Sequence, residues 1–152
     1  MNVEHLGTGE TEIASIKVMP SPLLFWLKVD LQASEKRIVG RKPNTFLGLI
    51  PTGYENIMFP LKQVAGITVN TRVKPLRLLI GILFFLGGLS SDFAKGGFII
   101  SLIGAALIIG AMQAALVIQN TGGGKQDVEV SLFNKGDIQN FASKVRSHLI
   151  EL

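Results

Sequence analysis

Few residues in this chain have types and spacings that could do chemistry, and each fails a requirement of the reaction it suggests. Gly122-Gly123-Gly124-Lys125 offers the backbone amides and cation that cradle a phosphate. A phosphate loop, however, needs a glycine separated by four residues from the Gly-Lys pair and a hydroxyl after it. Here Gln119 and Gln126 stand in those places, so a turn between strands is the expected role. His5 and His148 lie far apart and lack motif partners, so neither is expected to act as a catalytic base or metal ligand. With no cysteine in the chain, disulfides, thiolate metal sites and a thiol nucleophile are excluded. No catalytic residue, metal or cofactor is therefore expected.

The remaining chemistry is charge. Between Lys36 and Arg77 eight cations face Glu55 alone, although the whole chain carries only +4. Lys36, Arg37, Arg41, Lys42, Lys74 and Arg77 are the candidates for contact with an anionic lipid surface, at about 1 kcal/mol for each residue near the headgroups. A cationic zone beside an apolar run is also a topology signal, and that alone would account for it.

The elements that would position these charges start with two apolar runs. Leu78 to Ser91 holds 14 residues without a charge and Gly96 to Ile118 holds 23. As helices they would reach roughly 21 and 34 Å, against a hydrocarbon core about 30 Å thick. Extended back to Val73, with Lys74 and Arg77 snorkelling, the first would also approach a spanning length. The expectation is a transmembrane hairpin over 76–114 that divides a second unit into 1–75 and 115–152. A buried core helix would explain the first run by itself, but two adjacent runs leave too little of the chain to wrap both. Both termini would face the cytoplasm and the turn around Asp92 and Lys95 the outside, as a multi-pass protein of the inner membrane. Nothing at the amino terminus has the basic flank and apolar run of a cleaved signal.

Small residues recur at four-residue steps in the second run: Gly97, Ser101 and Ala105, then Ala106, Gly110 and Ala114. Such spacing lets helix backbones approach, so these six are the candidates for packing between copies, or only against the other helix of the same hairpin. Gln113 is the only strongly polar side chain between Gly96 and Ile118, which argues against energy-coupled transport. A pore formed by a ring of hairpins stays open as an alternative.

Outside the hairpin, alternation predicts strands over 11–19, 24–33, 36–42, 55–61, 64–73, 116–120 and 126–133, with a β-bulge near Ala65-Gly66. Leu47 to Ile50, in the loop opened by Pro43-Asn44, would form an apolar lip near the bilayer or a plug over the end of a barrel. The last segment changes period: Ile138, Phe141, Ala142, Val145 and Leu149 form one stripe of a helix, with Asn134 as its N-cap and Asp137 three residues on.

Seven strands followed by an amphipathic helix resemble the bacterial pleckstrin-homology-like domains, in particular those carrying membrane helices. The likeness rests on Lys36-Arg37-Ile38-Val39-Gly40-Arg41, on Phe59 to Val69, and on Ala115 to Asn120 with Val128-Glu129-Val130 and the closing helix. It covers roughly 11–150, with the hairpin as an insertion. It implies an α+β membrane protein: a seven-stranded bent sheet or barrel with a C-terminal capping helix plus the inserted hairpin. It further implies binding in place of catalysis. The expected function is thus a non-enzymatic scaffold at the cytoplasmic face that assembles as a homo-oligomer. Its expected partners are membrane lipids, itself and another membrane or cytoplasmic protein, with no nucleic acid.

Overall fold

The computed structural model describes residues 9–46, 50–91 and 95–151. Among them the chain forms seven strands, β1 (Glu12–Val18), β2 (Val29–Ser34), β3 (Arg37–Phe46), β4 (Ile50–Pro60), β5 (Val64–Val73), β6 (Met112–Asn120) and β7 (Lys125–Ser131). It also forms three α-helices, α1 (Pro75–Ser90), α2 (Gly97–Ala111) and α3 (Lys135–Glu151). The strands make two antiparallel sheets, β1-β2-β3-β4 and β5-β6-β7.

Alternation explains the first sheet. Val29, Leu31 and Ala33 of β2 are fully buried on one face, beside Ile38 of β3 and Ile57 of β4. β4 shows little else buried, which suits an edge strand that accepts Pro60. The second sheet is joined by β6, which pairs with β5 on one side and β7 on the other. A register shift between Val64 and Gly66 marks the bulge where the parity of the sequence changes. Gly123, at φ 85, closes the β6–β7 hairpin in a conformation that a side chain would strain. Helix α3 buries Ile138, Phe141, Ala142 and Val145 against β1, β5 and β6, joining both sheets into one core. Asn134 does not simply cap that helix: its amide donates to Asp137 Oδ2 at 3.1 Å and its carbonyl accepts from Met19 N at 3.3 Å.

The membrane expectation is overturned. No helix among the described residues is long and apolar enough to cross a membrane. Helices α1 and α2 have 16 and 15 residues, or about 24 and 22 Å against a core of about 30 Å. Two features shorten them. Val73 is the last residue of β5 and Pro75 occupies the first helical turn, so the snorkelling extension does not exist as helix. The second run is two elements, because helix gives way to strand at Met112 and the residues to Ile118 are a central strand buried on both faces. Strands of that kind read as continuous apolar sequence and mimic a longer helix.

The inner-membrane, multi-pass placement with cytoplasmic termini falls with the spanning helices, as does a pore of transmembrane hairpins. The fold is an α+β arrangement of two sheets and three helices, not a transmembrane hairpin inserted into one bent seven-stranded sheet. The apolar lip at Leu47 to Ile50 lies mostly outside the described residues, as do His5 and Asp92. The loop expected from Pro43 is instead strand as far as Phe46, paired with Ile50 across the β3–β4 hairpin.

Candidate interaction surface

Helices α1 and α2 lie with their backbones in contact, and glycine is what permits it. A Cβ at Gly104 would sit against Phe85 N, 2.7 Å from Phe85 Cα and 2.8 Å from Gly81 O. One at Gly88 would sit against Ser101 N and 2.6 Å from Gly97 O, and one at Gly81 would be 3.0 Å from Ile108 N. The Ser101 hydroxyl donates to Phe85 O at 3.3 Å across the same seam. At the root of the hairpin, Lys74 N donates to Ala111 O at 2.9 Å.

Arg77 fills the remaining space there. It is 3% exposed, its Nη2 donates to Ser21 Oγ at 3.1 Å, and it packs on Gly110 so closely that a Cβ at 110 would strike the guanidinium. Burial pushes the Arg77 pKa down, because a charge out of water is disfavoured. Ser21 precedes the short 3-10 turn Pro22–Leu24, which packs on α2, so the β1–β2 connection is fastened to the hairpin root.

The two small-residue stripes therefore serve the chain's own packing. Gly97 and Ser101 are buried in the seam, Gly110 lies on Arg77, Ala105 and Ala106 are half-buried, and Ala114 belongs to the sheet core in β6. Sequence reasoning missed Gly81, Gly88 and Gly104, which make the seam. The signal was available in the seven-residue step from Gly81 to Gly88, two turns on one helix face.

With small residues inward, the large ones face out. Among the described residues of 76–112, fourteen large apolar side chains are between 38 and 62% exposed, including Leu79, Leu83, Leu86, Phe98, Ile99 and Leu102. At roughly 100 Å² each they present on the order of 1,400 Å² of apolar surface. Ordinary monomers rarely show a patch beyond about 600 Å². At the root the surface continues onto Phe25 and Trp26, 62 and 58% exposed, stacked edge to face with ring centroids 5.2 Å apart.

The six cations singled out in the sequence do not gather into one patch. Lys36 is exposed and Arg37 pairs with Glu10 at 3.3 Å, both at the start of β3. Lys42 is five residues further along the strand, about 17 Å from Arg37. Arg41 lies over the Tyr54 ring, 4.2 Å from its centroid. Lys42 pairs with Glu55 at 3.1 Å and donates to Asp127 O at 3.3 Å, while Lys74 pairs with Glu129. Lys42, Lys74, Asp127 and Glu129 line an open cavity of about 290 Å³ with Pro20 and Gln113. Gln113 is 5% exposed and donates to Pro20 O at 3.4 Å. Its Oε1 and Asp127 Oδ1 are buried without a hydrogen-bond partner among the described residues. Among those same residues no group of three His, Cys, Asp or Glu could hold a metal ion.

No family model matches the chain, and no curated protein or solved structure matches it. The resemblance to pleckstrin-homology-like domains rests on sequence patterns alone.

Proposed function

We propose that this protein is a non-enzymatic interaction module that assembles with copies of itself through the outer face of its helical hairpin. The observation that carries the proposal is the contiguous, charge-free apolar surface of α1 and α2. A helix apolar on every side belongs in an interior, and packing the two helices together covers only one side of each. The surface exceeds the roughly 800 Å² per partner of a standard interface. It contains no charge to pair with an acidic or basic partner, whereas a second copy brings the same surface and the contact is self-complementary. The two-sheet body, held at the root by Arg77 and Ser21, is then the part presented to other partners as a scaffold. Binding in place of catalysis is also what the family resemblance implies.

Light scattering coupled to size-exclusion chromatography, in buffer and in a mild non-ionic detergent, tests this. The wild-type chain of 16.4 kDa is expected at the mass of two or more copies. Leu83→Glu with Leu102→Glu is expected to return the monomer, since each unpaired charge at the contact weakens association at least about tenfold. A wild-type mass of one chain at every concentration overturns the proposal.

A further inference from the structure

We infer that the cavity lined by Lys42, Lys74, Asp127, Glu129, Pro20 and Gln113 binds a small, neutral, hydroxyl-rich molecule, a polyol or a monosaccharide. The site belongs to the two-sheet body, so the inference stands apart from self-association through the hairpin. Gln113 alternates along β6 with Ala114, and Asp127 and Glu129 alternate along β7 with Val128 and Val130. Ala114, Val128 and Val130 face the core, so the three polar side chains stand on the opposite face of that sheet. Lys42 reaches this face from β3 of the other sheet and donates to Asp127 O at 3.3 Å, so both sheets contribute to the cavity wall.

Two acceptors of the lining call for a donor. Gln113 Oε1 and Asp127 Oδ1 are buried with no hydrogen-bond partner among the described residues, and Gln113 as a whole is 5% exposed. Its amide cannot turn over to remedy this, because Nε2 donates to Pro20 O, which only accepts. A buried acceptor of this kind is costly until something donates to it. Donors with protons to spare line the same cavity. Among the described residues Lys42 Nζ is engaged by Glu55 and by Asp127 O, and Lys74 Nζ by Glu129, whereas an ammonium group has three protons. A hydroxyl both donates and accepts at one atom, so neighbouring hydroxyls answer both kinds of group. Charge selects against an ion: Lys42 and Lys74 are balanced by Asp127 and Glu129, and their outer partners Glu55 and Arg72 balance each other. A volume of about 290 Å³ lies at the lower end of the range for ligand sites, which suits a molecule of one ring or smaller.

Saturation-transfer difference NMR on the full chain, titrated separately with D-glucose, myo-inositol, inorganic phosphate and ethanolamine, tests the inference. Saturable binding of at least one of the two polyols is expected, tighter than that of either charged probe. Gln113→Met keeps the length of the side chain and removes the acceptor, and is expected to weaken polyol binding at least about tenfold. Lys74→Met provides a second variant, because its side chain is 43% exposed and the loss of such an ion pair affects folding little; it is expected to weaken binding severalfold. Circular dichroism establishes that each variant is folded, and Lys74→Met decides the matter if Gln113→Met is not. No saturable binding of either polyol, which would leave the cavity to water, overturns the inference. So does tighter binding of phosphate or ethanolamine, or unchanged polyol affinity in a folded variant.

Discussion

Replacing Gly104 by alanine tests the backbone contact on which the hairpin depends. In an exposed helix the change would be favourable by about 1 kcal/mol, because alanine loses less conformational freedom than glycine. Here the added methyl would lie 2.7 Å from Phe85 Cα and 2.8 Å from Gly81 O, with Phe85 N nearer still. All three are backbone atoms, so no side chain can turn aside and the helices must part by on the order of 1 Å. Overpacking of this kind costs about 1–3 kcal/mol or more. Parting α1 from α2 also weakens the contact of Gly88 with Ser101, which puts the cost at the upper end. The net expectation is a loss of about 1–2 kcal/mol. Gly87 provides the control, since it lies in the same hairpin and an added methyl there would meet nothing within 4 Å. Gly87→Ala is expected to be neutral or to gain up to about 1 kcal/mol. At about 2–4 °C per kcal/mol for a chain of this size, the two variants should melt about 2–12 °C apart by far-UV circular dichroism, with Gly104→Ala the lower. Equal melting temperatures would refute the backbone contact between the helices.

Two further outcomes follow from buried groups. Ser21→Ala removes an acceptor from the buried Arg77 guanidinium and should cost about 1–3 kcal/mol in urea denaturation, but less than about 0.5 kcal/mol in an Arg77→Met background; equal costs in both backgrounds would show that the pair is not coupled. Burial lowers the Arg77 pKa, so the folded state binds this proton less tightly than the unfolded chain does, and stability from this group can rise only as pH climbs through the folded value. Arginine stays protonated well above neutrality, so the stability difference between wild type and Arg77→Met should be flat from about pH 5 to 9; a slope there would contradict a charged Arg77. Phe141, 1% exposed where α3 meets both sheets, should cost about 3–5 kcal/mol on truncation to alanine, against a negligible change for Phe133→Ala at 73% exposure. Similar midpoints for these two variants would mean that α3 does not close the core.

The sheets and the last helix were legible because their signals are local. Val128 and Val130 alternate with Asp127 and Glu129, Ile138 to Val145 keep a helical step, and the parity change at Ala65-Gly66 marks the bulge. The hairpin was legible as two apolar runs but not as a packed object. Composition cannot say which apolar residues meet each other: Gly97, Ser101 and Gly110 fitted contacts between copies or within the hairpin, and the structure packs them on Phe85, Gly88 and Arg77 of the same chain. Within the cationic zone, composition could not show that Glu10 and Glu129, remote in sequence, pair with Arg37 and Lys74, or that Glu55 stands across the β3–β4 hairpin from Lys42.

What the sequence determined by itself was the period of each segment, the absence of thiol chemistry and the concentration of apolar residues between Leu76 and Ile118. Tertiary structure set the exact place where helix becomes strand, at Met112, a few residues ahead of the junction between 114 and 116 expected from the sequence. The run from Met112 to Ile118 is apolar enough to continue α2, but between β5 and β7 the backbone of 113–118 is hydrogen-bonded on both edges and its side chains are buried on both faces. Pairing with two neighbouring strands, which no local window can register, outweighs the helical preference of Ala114 and Ala115, and so the second run ends as a helix at Ala111.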